Sequence, residues 1–293
     1  MKKLFTDDYL PKIFCFKGGT SLSKVYKLIE RFSEDIDLIL DWRTVTDEDV
    51  YKPSKNKQSK FNESLLGQTE VFVKNEISPK LAKLLEGICD ISIDEDERTS
   101  LNIKFPTSID DKYIRPYIKL EIGPLAAWNP NDIFELNSYL AEINPSLNIK
   151  SLKLPVIKAE RTFWEKATIL HREHFRPEAT KTPIRYSRHY YDLYKLSQSK
   201  IKDNALNDLE LLKEVVDFKS TFYSCNWAKY ELAKPSTFAL LPNPRNIEIL
   251  QKDYEQMKSM IYGEYPSWSE IINELSQLEK EINALPAKKR ASQ

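Results

Sequence analysis

The chain has 293 residues, carries 44 Lys and Arg against 44 Asp and Glu, and is 41% hydrophobic and 30% charged, a balance ordinary for a globular protein and too even for a generic polyanion binder. No apolar run nears the roughly 18 residues of a membrane span, and no basic start with a small-residue cleavage site marks a leader, so a cytoplasmic protein without membrane contact is expected. Three widely spaced cysteines, Cys15, Cys89 and Cys225, argue against a disulfide framework or a zinc site and for structural thiols.

Residues 13–16 read as a short buried strand. Residues 20–29 read as a helix with Leu22, Val25, Tyr26 and Ile29 at helical spacing, and 36–40 as an apolar strand. Gly18 and Gly19 open that helix, where the absence of side chains lets backbone approach a phosphate and the helix N-terminus favours its charge. Asp35 and Asp37 lie two apart along the strand, so they point to one face with roots roughly 6–7 Å apart and can converge on a cation. Arg31 and Ser33 precede them closely enough to touch a triphosphate, Arg31 by a forked contact.

Residues 43–62 lack periodicity and read as a mobile insertion. Helical spacing returns over 71–87, and 88–93, 100–105 and 113–122 read as strands between acidic turns. A mixed α/β lobe over 1–125 is expected. On its last strand Glu121 shares a face with Lys119 and Tyr117, which makes it either a third carboxylate able to activate a hydroxyl or an exposed strand glutamate.

Residues 126–155 read as connective, with one short helix. Five helical stretches follow, at 156–172, 185–198, 206–221, 246–260 and 268–285, so that 126–293 forms a mainly helical second lobe and the fold class is α+β. Residues 150–195 hold 11 Lys and Arg against 5 Asp and Glu, together with His171, His174 and His189. Such a basic block suits a nucleic-acid partner, and suits a solvated helical face equally. Lys166 falls on the border of the apolar stripe of its helix, so it either reaches over a cleft or packs its stem and leaves its ammonium in water. Asp192 lies four residues after Arg188, the spacing of an intrahelical ion pair. The histidines lack metal-ligand spacing and read as surface or substrate contacts. Tyr186, Tyr190, Tyr191 and Tyr194 fill a helical core or stack on bases. Residues 286–293 read as a frayed basic tail.

The run Phe16-Lys17-Gly18-Gly19-Thr20-Ser21-Leu22-Ser23-Lys24, followed by Arg31-Phe32-Ser33-Glu34-Asp35-Ile36-Asp37-Leu38, is similar to the glycine and Asp-x-Asp motifs of nucleotidyltransferases related to DNA polymerase β. With Glu160-Arg161-Thr162-Phe163-Trp164-Glu165-Lys166 and Arg188-His189-Tyr190-Tyr191-Asp192-Leu193-Tyr194, it resembles the AbiEii/AbiGii toxin family over most of 13–196. The resemblance implies a Mg²⁺-dependent toxin of an abortive-infection, phage-defence type, paired with a cognate antitoxin. Its expected reaction passes a nucleoside monophosphate from a nucleoside triphosphate (NTP) to RNA, with the tRNA 3′ end as acceptor. By position it implies Gly19, Thr20 and Ser21 at the phosphates and Asp35 and Asp37 on the metal; Gly18, Lys24, Arg31 and Ser33, beside them in the sequence, complete the expected nucleotide contacts. The resemblance adds Lys166 and Asp192 to the catalytic residues; Glu121 is the local candidate for a third catalytic carboxylate, and Arg161, Arg185 and Arg188 of the basic block are the candidate acceptor contacts. Two alternatives keep the motifs: a protein or small-molecule hydroxyl as acceptor, and a non-catalytic NTP-binding module acting through partner contacts.

Overall fold

The computed structural model describes residues 2–5, 7–33, 35–106 and 115–286. The fold is α+β, and the chain divides into two compact units. The first comprises Met1–Lys27 and Arg31–Lys158; the second comprises Leu28–Glu30 and Ala159–Gln293.

In the first unit two short helices, α1 (Lys2–Phe5) and α2 (Leu10–Ile13), lead into β1 (Phe14–Lys17), α3 (Gly18–Lys24) and β2 (Asp35–Leu40). The long α4 (Lys55–Phe72) and α5 (Ser78–Leu84) follow, then β3 (Asp90–Ile93), β4 (Ser100–Lys104), β5 (Tyr117–Gly123), β6 (Asn131–Leu136), α6 (Tyr139–Ile143) and β7 (Leu152–Ile157). Among the described residues, these strands form one mixed sheet in the order β3-β4-β5-β2-β1-β7-β6. β2 runs antiparallel to β1 and parallel to β5.

Alternation along the central strands gives the sheet two unlike faces. Phe14, Phe16, Leu38, Leu40, Leu120 and Ile122 join the main core, to which α1, α2, α5 and the turn before α5 contribute Leu4, Leu10, Ile77 and Leu81. The opposite face has a smaller apolar cluster of Cys15, Ile39, Ala126 and Ile157, and it also carries Lys17, Asp35, Asp37, Lys119 and Glu121. Cys15 is fully buried there, and burial pushes its thiol up to about 12, a structural sulfur at neutral pH.

Three expectations need correction. Residues 43–62 are not an unstructured insertion, because the helix α4 begins at Lys55 behind the N-cap Ser54. Its inner positions include the polar Gln58, whose amide donates to the Val50 carbonyl at 2.9 Å and whose side-chain oxygen accepts from the Lys52 amide at 2.9 Å; a polar tie of this kind leaves no mark in apolar periodicity. The helix over 71–87 is interrupted by a π-helical turn, Val73–Ile77, just ahead of Pro79, where the missing amide hydrogen breaks the regular ladder. Residues 126–155 are not merely connective, since they supply β6, α6 and most of β7 at one edge of the sheet. The first unit accordingly runs to Lys158. The expected strand over 113–122 is seen from Tyr117; Tyr113 and Ile114 lie outside the described residues, as do 287–293 of the basic tail.

The second unit is helical among its described residues: α7 (Ala159–His174), α8 (Ser187–Ser197), α9 (Lys200–Asn207), α10 (Leu209–Phe222), α11 (Ile247–Gln256) and α12 (Trp268–Ala284). The α8 N-terminus borrows its cap from a distant residue. Asp253 on α11 accepts from the Arg185 amide (2.7 Å), the Ser187 amide (2.9 Å) and the Ser187 hydroxyl (2.5 Å). These bonds hold Arg185 in the left-handed region at φ 66°. Among the described residues, no helix is long and apolar enough to cross a membrane.

Candidate active site

The charged face of the sheet gathers three carboxylates. Asp35 and Asp37 project from β2, and the parallel register sets Asp37 opposite Glu121 and Asp35 opposite Lys119 on β5. Directly paired residues share a face with roots roughly 5 Å apart, so Asp35, Asp37 and Glu121 form one acidic cluster. Burial, then the charges of Asp37, Asp35 and Glu97, raise the Glu121 carboxyl from 4.5 to about 7, against a smaller opposing pull from Lys119. Burial alone would depress Lys119. Its 2.7 Å hydrogen bond to Glu97 and the nearby carboxylates more than offset that and raise it. Arg115 adds a second cation, with Nη1 at 3.3 Å from Asp35 Oδ1.

The glycine pair is fitted to this cluster. Gly18 has φ +80°, and a Cβ there would run into the Asp37 carboxylate. A Cβ on Gly19 would stand 2.7 Å from Arg31 Nη2 and 3.3 Å from Ser33 Oγ, so the missing side chains bring the chain reversal against Asp37, Arg31 and Ser33. Arg31 is 2% exposed and donates to the Phe32 carbonyl at 3.1 Å. Thr20 donates its hydroxyl to the Asp35 carbonyl, which ties α3 to the strand carrying the carboxylates. Ser21 is buried, with its hydroxyl on the Gly18 carbonyl at 2.8 Å; that hydroxyl shapes the loop. Lys24 stacks on the Tyr139 ring of α6.

This donor set suits a hard divalent cation. Carboxylate oxygens crowd one face, and the Glu121 carboxyl is raised first by burial and then by the Asp37 and Asp35 charges, the part that a cation would relieve. Among the described residues no three His, Cys, Asp or Glu side chains are grouped so as to hold a metal ion by themselves. Magnesium needs no such group, since it takes one or two carboxylates together with substrate phosphates and water.

The second unit holds a separate constellation. Lys166 on α7 donates to Asp192 Oδ2 on α8 at 2.9 Å and meets His189 Nδ1 at 3.1 Å. Asp192 is fully buried, and Lys166 is 8% exposed. Asp192 therefore pairs with Lys166 on the neighbouring helix. His189, which the sequence left as a surface or substrate contact, is the residue missed; its place three positions before Asp192 on one helix was the available signal.

Arg161 is not presented to an acceptor. It is 2% exposed, bonded to Glu165 at 3.2 Å and packed over the Phe218 ring. Arg185 and Arg188 remain half-buried at the start of α8. His171 is a core residue, not a surface contact. Its Nε2 donates to the Lys229 carbonyl at 3.0 Å, its Nδ1 accepts from the Ala239 amide at 3.1 Å, and burial lowers its pKa. His174 donates Nδ1–H to the Leu241 carbonyl at 2.9 Å. Tyr190 and Tyr191 are fully buried core residues.

The sequence pattern of the family described as "Nucleotidyl transferase AbiEii toxin, Type IV TA system" matches residues 2–274. The chain belongs to the AbiEii family. AbiEii membership makes it a nucleotidyltransferase and the toxin of a type IV toxin–antitoxin pair, with an NTP as substrate and a cognate antitoxin as its counterpart. Two solved structures are similar to this AbiEii chain. The nucleotidyltransferase toxin MenT4 from Mycobacterium tuberculosis H37Rv is 14% identical, with a TM-score of 0.40 over 94% of this chain and 85% of that one. A candidate nucleotidyltransferase from H. pylori is 17% identical, with a TM-score of 0.44 over 98% and 95%. No curated protein sequence matches significantly.

Proposed function

We propose that the chain is a cytoplasmic Mg²⁺-dependent enzyme that transfers a nucleoside monophosphate from an NTP to the 3′-hydroxyl of a tRNA, arresting growth by blocking aminoacylation. The observation that carries the reading is the acidic face itself: Asp35, Asp37 and Glu121 on paired strands, with Gly18 fitted against Asp37 so closely that no side chain could stand between them.

Asp35 and Asp37 would hold the metal, which when bound neutralises charge on the triphosphate and the departing pyrophosphate. The backbone of Gly18 and Gly19, with Thr20, Arg31 and Ser33 around it, seats the phosphates. Arg31 is already immobilised by burial, so its guanidinium loses little freedom when a phosphate arrives. The acceptor oxygen bonds to the α-phosphorus, and the bond from that phosphorus to the α,β-bridging oxygen breaks. Pyrophosphate leaves with the electron pair, and the hydroxyl proton passes to Glu121. Its place opposite Asp37, on the same face of the sheet, is what fits it to that transfer.

The family resemblance assigns Lys166 and Asp192 to the reaction as well. Within the second unit Asp192 and His189 hold the Lys166 ammonium in place, which makes it a preorganised cation. Arg185 and Arg188, in the basic stretch 150–195, are the acceptor contacts.

The test is incubation with each α-labelled NTP, Mg²⁺ and total tRNA, beside Asp35→Ala and Lys166→Ala. Label on tRNA with the intact protein alone is the expected result. Equal labelling by Asp35→Ala overturns the mechanism, and label on protein in place of RNA overturns the acceptor.

A further inference from the structure

Behind the carboxylate face, at the same end of the sheet, lies a cavity of about 280 Å³. Its floor is apolar: Phe16, Ile36 and Ile118 line it from β1, β2 and β5. Ile36 lies between Asp35 and Asp37 on β2 and therefore points to the opposite face, and Phe16 pairs with Leu38 on that same face. The wall comes from α3 through Thr20 and Lys24, and from the chain around α6 and the start of β7, including Tyr139, Ile149 and Lys150. That wall is pinned in place, since Lys24 stacks on Tyr139 and Lys27 meets Glu142 of α6 at 3.0 Å.

The lining has a decided chemistry. It holds two lysines and no aspartate or glutamate, while the rest is mainly aliphatic and aromatic. An apolar interior whose charged groups are both cationic, with neutral Thr20, Ser33, Asn137 and Ser138 beside them, selects a ligand with an apolar body and an anionic head. The volume, just under the roughly 300 Å³ at which drug-sized pockets begin, limits that ligand to a small one. Burial lowers Lys24 from 10.5 to about 8, against the pull of Glu142, and a bound anion would favour its charged form.

The sheet also separates this cavity from the nucleotide. A triphosphate bound with metal at Asp35 and Asp37 occupies one face, and a ligand on Phe16, Ile36 and Ile118 occupies the other. The two would share Thr20, which hydrogen-bonds the Asp35 carbonyl, and Ser33, which stands beside Gly19. We propose that the cavity is a second ligand site, for a small amphipathic anion, that acts on the nucleotide loop from behind through Thr20 and Ser33. Binding stands on the cavity alone; only its effect on the nucleotide rests on the function proposed above.

Octanoate is the probe, with 1-octanol as its neutral counterpart, followed by calorimetric titration of the intact protein. One saturable octanoate site is expected. It is lost in Ile149→Trp, which fills the cavity, and weakened about tenfold in Lys24→Met/Lys150→Met, with far-UV dichroism unchanged; 1-octanol binds at least about tenfold more weakly than octanoate. Octanoate binding that survives Ile149→Trp within twofold, or 1-octanol binding as tightly, overturns the site. Saturating MgATP should leave the octanoate site available with a shifted affinity. Full competitive displacement shows that the two ligands share one site and overturns the proposal. Failure of ATP to bind at all sinks the nucleotide reading and leaves the octanoate result standing.

Discussion

Glu121 stands opposite Asp37 across two parallel strands, and burial together with that neighbouring charge raises its carboxyl in the folded protein. The folded carboxyl titrates near 7, above its ordinary 4.5. A group raised in this way contributes stability fully below about 4.5 and loses it as pH rises through about 7. In metal-free protein, Glu121→Gln should therefore stabilise by roughly 1–3 kcal/mol at pH 8 and by almost nothing at pH 4.5. Urea unfolding in EDTA at the two pH values reads the difference, and an equal gain at both would overturn the raised titration of Glu121. In the activity assay the same variant should be slow.

Gly18→Ala and Gly19→Ala should fail for different reasons. Alanine at Gly18 meets both a left-handed backbone, costing about 1–2 kcal/mol, and the Asp37 carboxylate. Alanine at Gly19 has no backbone penalty and instead displaces the buried Arg31. Melting should drop clearly for Gly18→Ala. For both, the KM for triphosphate should rise at least about tenfold; an unchanged KM in Gly19→Ala would detach Arg31 from the phosphates.

The Lys166–Asp192 pair separates stability from catalysis. Asp192→Ala leaves a buried ammonium short of its partner and should cost about 3–5 kcal/mol. Lys166→Met/Asp192→Leu replaces both charges by apolar groups and should recover most of that loss while remaining inactive. Chemical denaturation and transfer assays on the three proteins check this. Recovery of activity along with stability would reduce the pair to a scaffold element.

Salt dependence should sort the arginines. Arg185→Gln and Arg188→Gln should each flatten the slope of log(kcat/KM) for tRNA against log salt by roughly 0.7. Arg161→Met should leave the slope alone and lower stability, because its guanidinium is engaged with Glu165 and Phe218 inside the second unit.

Asp253→Ala should destabilise by about 1–2 kcal/mol through loss of the borrowed α8 cap. Because α8 carries Asp192 and His189, kcat should fall more than KM rises, and Asp253→Asn should restore part of both. A purely structural cap would change the unfolding midpoint and leave kcat of the folded fraction intact.

The central motif was readable because its determinants are local. Glycines at a strand end, an intervening helix and two carboxylates two apart fix their own geometry. The status of Glu121 was not readable: its role depends on which strand lies beside β2, and nothing in residues 113–123 names that neighbour. Arg161 looked like a free cation for the same reason that Gln58 looked like loop. In both, a polar residue is buried by a partner distant enough in sequence, or polar enough in character, to escape apolar periodicity. Asp253 is the extreme case, since a helix cap 66 residues away leaves no local signature.

The three residues Leu28–Glu30 belong to the second unit although the first unit resumes on both sides of them. Their backbone is held there by Tyr262, whose amide donates to the Glu30 carbonyl at 3.0 Å, and by Lys195, which meets the Glu30 carboxylate at 2.9 Å. No single scission of the chain can therefore release the two units intact. A nick after Lys158 leaves the helical portion without the stitch that Tyr262 and Lys195 grip, and any exchange of the helical portion between relatives must carry that stitch with it.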